Sequence, residues 1–415
     1  MIKVKPAPAT SDATDVVADS ILTARAQQDA TRVEWQPCLT DSYSRWRRAA
    51  EARVASLAKP PGSLGTLEAW YVTLCAVQET LEPSAGPACA IVFVGDHGLA
   101  KQDIGLWEYS LNFSLSEYPQ AATQTMFRAL AGGVSCAAVI ARSVGASLVV
   151  VDVGIDGDVS NAQAANGVEV IHAKVARGTA AFPSPAMTSH VHYTCADDLG
   201  DHSHSHHEHT CDGHGPCLDA ALLVGRDRVA AAAASGARTV CIGEVGVGND
   251  AAAACLLALL TGSTAKTCCG CSVGFRIDAV QTIIDAVRAG SGMCPGIEWP
   301  GGLARESLRC VGGLEMAAMV GAYVVAPAYG IVCVVDGFVS GVAALCAARL
   351  NPVCRANMVF ATSLCPPLAE ALGARTFLDA NLSHGEGCAA VLALPLLRAA
   401  AALPGAATLE EAMAL

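Results

Sequence analysis

The chain has 415 residues, with 26 Lys+Arg against 38 Asp+Glu and a formal net charge of −12; 53% are hydrophobic, 5% aromatic and 15% charged. High hydrophobicity with sparse charge excludes a disordered chain, and the acidic balance argues against a nucleic-acid partner. The length suits two domains, or one large domain with an annex.

Residues 1–38 are rich in Ala, Asp and Thr without clear periodicity and are expected to form a mobile leader. Residues 1–20 lack the apolar run of a secretory signal and, with three Asp, differ from an Arg-rich transit peptide. The 19 cysteines are scattered, several inside apolar runs such as AALCAARL and GIVCVVDG, where a free thiol acts as a small core hydrophobe. No disulfide framework is visible. A cytoplasmic location is expected, with an organelle as the alternative.

Residues 40–58 read as an amphipathic helix with Thr40 or Asp41 at its N-cap. KPPGSLG (59–65) ends it, because two prolines cannot continue a helix. A second helix is expected from about Gly65 to Glu82. A repeated grammar of strand, polar loop and helix then begins. Strands are expected in CAIVFVGDHG (89–98), ASLVVVDVGID (146–156), RTVCIGEVGVGND (238–250), YGIVCVVDGF (329–338) and NMVFATS (357–363). Helices are expected over roughly 119–144, 251–261 and 339–350. This pattern predicts an α/β fold, a parallel Rossmann-like sheet with helices on both faces.

Residues 316–335 contain no charge and are long enough to cross a bilayer. Pro327 and Gly330 interrupt them, so they read as a buried helix (about 312–326), a turn and a buried strand. No membrane partner is expected.

Ligands of such sheets bind beyond the C-terminal ends of the strands. Asp96, His97, Asp152, Glu244, Asn249 and Asp336 stand there. Each alone would serve as a helix cap, but four acidic loop ends on one rim exceed what caps require. GEVGVGND (243–250) is a glycine-rich loop between strand and helix, whose N–H groups can hold a phosphate. No Lys-Ser/Thr follows, so it is not a P-loop. SHGEGCAAVLALPLL (383–397) places Glu386 between two glycines ahead of an apolar helix. One reading is a first-turn carboxylate favoured by the helix dipole. The other is a general base in a tight backbone pocket.

Residues 189–217 hold eight of the eleven histidines. His202, His204, His206, His207 and His209 form a tract of imidazoles that Zn, Ni or Cu would accept, without the spacing of a structural zinc site. CCGC (268–271) has small apolar neighbours and reads as core or loop. The serine-hydrolase pattern GxSxG does not occur.

Nine segments in collinear order, KPPGSLGTLE (59–68), VFVGDHG (92–98), YPQAAT (118–123), VVDVGID (150–156), ARGTAAFPSPAMT (176–188), GEVGVGND (243–250), GGLEMAAMVGA (312–322), DGFVSGVAAL (336–345) and GEG (385–387), resemble the nicotinate-nucleotide–dimethylbenzimidazole phosphoribosyltransferase family. The resemblance runs from about residue 40 to 400. It implies a large α/β domain (86–365, with the His-rich insertion 189–217) and a small helical domain built from both chain ends (39–85 and 366–415). It also implies transfer of the phosphoribosyl group of nicotinate mononucleotide to 5,6-dimethylbenzimidazole, with no cofactor, by a homodimer whose sites form near the subunit interface. Glu386 would be the catalytic base. Glu244, Gly246, Gly248, Asn249, Asp96, His97, Tyr118, Met126, Gly385, Gly387 and Asp336 would contact substrate.

Several positions depart from the family pattern. Asn249-Asp250-Ala251 stands where the family reads Asn-Thr-Thr, and His384 replaces a leucine before the GEG. Val280 stands at the place of a family lysine, and Thr362-Ser363 at a family Ser-His pair. The alternative implied by these changes is a weakened homologue that binds a benzimidazole or nucleotide without efficient turnover.

Overall fold

The computed structural model describes residues 41–100, 115–179, 216–269, 277–290 and 302–415. The leader expected over 1–38 and the histidine tract at 202–209 lie outside the described residues.

Seven parallel strands form one sheet in the order β3-β2-β1-β4-β5-β6-β7. They are β1 (Ala88–Gly95), β2 (Ser147–Gly154), β3 (Val168–His172), β4 (Thr239–Val245), β5 (Val332–Val335), β6 (Met358–Thr362) and β7 (Thr376–Leu378). The strands are apolar because helices cover both faces. In β1, Cys89, Ile91 and Phe93 enter one core, and Ala88, Ala90, Val92 and Val94 enter the other. The first core packs under helices Pro216–Ala234, Asn249–Thr261, Ile277–Gly290, Gly302–Val311, Leu314–Val325 and Phe338–Leu350.

The second core joins the chain ends. Trp70, Tyr71 and Leu74 of helix Thr66–Gln78 pack in it with Val391, Leu394 and Leu397 near the C-terminus. Leu57 bridges to Thr408, and the Arg53 guanidinium donates to the carbonyl of Pro404 at 2.7 Å. Helices from both chain ends thus pack together, in a core continuous with the sheet.

Two details differ from the sequence reading. The helix expected over 119–144 is two helices, Ala121–Ala131 and Cys136–Ser143. Gly133 between them takes φ +67°, and the Ser135 side chain caps the second by accepting from Ala138 N–H. The sheet also has two edge strands, β3 and β7, that the five-strand reading lacks. Both are short, three to five residues, and carry too little alternation to stand out.

The uncharged stretch 316–335 is a buried helix, a turn closed by Gly330 at φ +61°, and the buried strand β5. Two other stretches, Ala121–Ser143 and Cys388–Gly405, are long and apolar enough to cross a membrane by length and composition. Each is interrupted, the first at Gly132-Gly133 and the second at Ala393 before Pro395. All fourteen cysteines of the described residues are free thiols, twelve of them buried.

Candidate active site

The sheet order reverses between β1 and β4, since the chain runs outward through β2 and β3 and resumes on the other side of β1. Such a switch point opens a crevice at the C-terminal ends of the two strands. Pairing of Phe93 with Glu244 and of Val94 with Asp152 brings the polar strand ends level. Asp96, His97, Asp152, Glu244, Asn249, Asp336 and Glu386 are all buried there. The rim read from the sequence is thus assembled in space.

Glycines let these segments meet. A Cβ on Gly243 would stand 2.1 Å from the Gly387 nitrogen, and one on Gly246 would stand 2.2 Å from the Gly95 carbonyl oxygen. Gly385 faces Glu244, whose Oε1 would lie 2.7 Å from an added Cβ. The loop 385–387 therefore lies directly on β4. Its Glu386 N–H donates to the Glu244 carbonyl at 3.0 Å.

Glu386 has φ +62°, a left-handed conformation that a non-glycine residue adopts only when its surroundings impose it. Its carboxylate is 4% exposed and accepts from the Ala137 N–H at 3.4 Å, at the start of helix Cys136–Ser143. His384 Nε2 lies 3.5 Å from Glu386 Oε2.

Asp336 sits beneath this loop. Its Oδ1 accepts from Ala390 N–H at 2.8 Å. Burial pushes its carboxyl up to about 7, against the opposing pull of the Ala390, Ala389 and Gly387 amides. Placed among substrate contacts by the resemblance, Asp336 in this structure clamps the loop that carries Glu386. Its carboxylate is turned to backbone amides because the helix start at Cys388 leaves them unpaired.

Asp96 also holds backbone. Its Oδ2 accepts from Asp156 N–H at 2.8 Å, and burial raises its pKa to about 6. Oδ1 of Asp96 has no hydrogen-bond partner. Asp152 accepts from Ile155 N–H at 3.0 Å and pairs with Lys174 at 3.3 Å. His97 Nε2 meets Glu315 Oε1 at 2.5 Å with both side chains buried. Although desolvation opposes protonation of His97, the adjacent Glu315, Asp96 and Asp250 charges win and raise its pKa. Gly313 makes the pair possible, because a Cβ there would stand 2.3 Å from the His97 ring.

Glu244 is pushed well above the ordinary carboxylate range by burial, with Asp250, Glu315 and Asp336 adding to the effect. Its Oε2 accepts from the Asn249 side-chain amide. In the glycine-rich loop, Gly248 takes φ +93° and precedes helix Asn249–Thr261. Val247 N–H donates to Thr123 Oγ1 at 3.2 Å, and Asn249 N–H donates to the Gly246 carbonyl at 3.1 Å. Two of the loop N–H groups expected to cradle phosphate are thus engaged within the protein. Thr123 is the last residue of YPQAAT, in the first turn of helix Ala121–Ala131.

The remaining expected residues are less central. Met126 is half-buried on that helix and packs against the second core. Tyr118 is 68% exposed and does not join the buried cluster. Val280 is fully buried in the first core, so the position paired with a family lysine is an apolar core position here. Ser363 is exposed, directly after buried Thr362. Sequence reasoning assigned no role to Glu315, Thr123 or Gly243. Glu315 had a signal, an acidic residue in GGLEMAA at a helix start.

The family model described as phosphoribosyltransferase matches residues 40–197 and 216–413. The chain is 38% identical over 370 residues to a Pseudomonas putida nicotinate-nucleotide–dimethylbenzimidazole phosphoribosyltransferase, covering 88% of this chain and 92% of that one. It is 36% identical over 387 residues to the Pseudomonas aeruginosa enzyme of the same name, covering 91% and 97%. The crystal structure of a Thermus thermophilus enzyme of that name superposes with a TM-score of 0.69 at 29% identity, covering 89% of this chain and 98% of that chain. With the GEG loop on β4 at the switch point, these likenesses make the chain a member of the nicotinate-nucleotide–dimethylbenzimidazole phosphoribosyltransferase family.

Proposed function

We propose that the chain transfers the phosphoribosyl group of nicotinate mononucleotide to 5,6-dimethylbenzimidazole, giving α-ribazole 5′-phosphate and nicotinate, with Glu386 as general base. The observation that carries this reading is the held carboxylate of Glu386, buried in a left-handed turn on β4 and oriented by the Ala137 amide. A benzimidazole nitrogen forms the new bond to C1′ as the bond from C1′ to the pyridinium nitrogen breaks. The electron pair of that bond returns to the nicotinate ring, and the benzimidazole N–H proton passes to Glu386. Attack from the face opposite the leaving group inverts the β-anomer to the α-product in one displacement.

The pyridinium is already a good leaving group, so the chemistry calls for no metal or cofactor. The buried acidic rim favours positive charge on the pyridinium and on the sugar as the bond breaks. The family resemblance supports a homodimer, which sedimentation of the purified protein tests. A cytoplasmic setting suits the free thiols, which persist where disulfides are reduced.

Incubation of the purified chain with both substrates should release nicotinate. Glu386→Gln should lower turnover about 10²–10⁴-fold, the usual contribution of a general base. A Glu386→Gln protein with unchanged turnover refutes the assignment.

A further inference from the structure

We infer that the GEG loop doubles as a regulatory metal site, in which His384, Glu386 and Cys388 bind a divalent cation of the zinc class and so withdraw the base from catalysis. The proposed phosphoribosyl transfer serves as one of its readouts. The donor atoms of the three side chains all lie within 4.8 Å of one another. The left-handed turn at Glu386 brings this about, folding residues four apart in sequence onto one point.

The donor set is an imidazole nitrogen, a carboxylate oxygen and the sulfur of Cys388, a thiol that burial holds protonated until a metal displaces the proton; these are the three kinds of donor that zinc takes with three protein ligands and one open position. Zinc bonds of about 2.0–2.3 Å in a tetrahedron place donors about 3.3–3.8 Å apart. His384 Nε2 and Glu386 Oε2 already stand 3.5 Å apart. The His384 side chain, 47% exposed, is the donor at the protein surface. Glu386 and Cys388 are buried, so the imidazole marks the side from which an ion enters.

Binding would release the thiol proton of Cys388 and leave a carboxylate oxygen of Glu386 on the metal. A carboxylate so engaged is a weaker base and is no longer available to the azole N–H. Neither His384 nor Cys388 is assigned a part in the metal-free reaction. The resemblance places leucine at the position of His384, so the site is a property of this chain's own residues.

The test uses the full chain, stripped with a chelator and then titrated with zinc chloride while nicotinate release is followed. Zinc should inhibit the wild type, and chelator should restore it. His384→Leu and Cys388→Ser should stay active without metal and need about a hundredfold more zinc for the same inhibition, given that even indirect metal contacts are worth ten- to a hundredfold. A second readout is independent of turnover. Cobalt(II) should give a thiolate-to-cobalt absorption band in the wild type that is absent in Cys388→Ser, while the histidine tract is the same in both proteins. Equal zinc sensitivity of the wild type and both variants overturns the proposal, as does an identical cobalt spectrum in wild type and Cys388→Ser. If no nicotinate is released at all, the proposed reaction fails and the cobalt band alone decides the site.

Discussion

Gly243→Ala adds one methyl group where the backbone of the GEG loop already lies. The new Cβ would be 2.1 Å from the Gly387 nitrogen and 2.5 Å from both the Glu386 carbonyl carbon and the Gly387 Cα. Ordinary contact begins at 3.4 Å, so strand and loop must part by about 1.3 Å (3.4 less 2.1). No side-chain rotation relieves this, since every atom met is backbone. β4 is hydrogen-bonded to β1 on one side and β5 on the other, so the loop moves rather than the strand. The 3.0 Å bond from Glu386 N–H to the Glu244 carbonyl would then lengthen past hydrogen-bonding range.

A displacement of about 1 Å at a reacting group costs about 10²-fold in rate, or about 2.7 kcal/mol in the barrier. Overpacking should cost about 1–3 kcal/mol of stability, which a domain this size survives. Steady-state kinetics and equilibrium unfolding of the variant separate the two effects. We expect kcat to fall about a hundredfold. Gly405→Ala is the control, because a Cβ there meets nothing within 4 Å. A folded Gly243→Ala protein with unchanged kcat would show that the contact between strand and loop does not position the base.

Two further outcomes follow from the buried rim. The Asp96 pKa is raised from 3.8 to about 6, so its stabilising contribution is full below about pH 4 and is lost as pH rises through 6, up to about 3 kcal/mol. Asp152, Glu244 and Asp336 shift in the same direction. Asp96→Asn should therefore flatten the fall in unfolding free energy between about pH 4 and 6, and identical slopes in denaturant titrations would refute the cause given. His97→Ala should destabilise by about 3–5 kcal/mol by leaving Glu315 buried without its partner. Glu315→Gln with its neutral amide should cost less, and the reverse ranking by chemical denaturation would count against a charged pair.

The central strands were legible because a strand buried on both faces is a continuous apolar run, as in AIVFV and GIVCVV. The edge strands VEVIH and TFL were not, because one neighbour and a few residues leave no such run. The break at Gly132-Gly133 was missed because apolar periodicity continues across it. Site residues at strand ends were legible from Asp and Glu following apolar runs, and Glu386 from its flanking glycines. Their partners were not. Nothing local in Gly243 announces a contact with a residue 144 positions away, and Gly313 reads as a helix start until His97 is placed beside it. The same limit applies to Asp336, where acidity after a strand suggests a ligand contact and only the fold reveals a clamp on backbone amides.

The acidic count at the rim overstates its charge. Asp96, Asp152 and Asp336 each give an oxygen to a backbone N–H, so their first work is to hold the loops that surround the crevice. Glu315 is matched by His97, and Asp152 by Lys174. Glu244, raised by burial among other carboxyls, favours its neutral form. Burying so many carboxyls costs stability, and a fold that only needed caps would have done as well with Asn or Ser. An arriving pyridinium reverses the balance, because a cation within the crevice favours the ionised form of every carboxyl near it. The net charge of −12 thus overstates the charge of the rim, where burial pushes Asp96, Asp152, Glu244 and Asp336 toward their neutral forms.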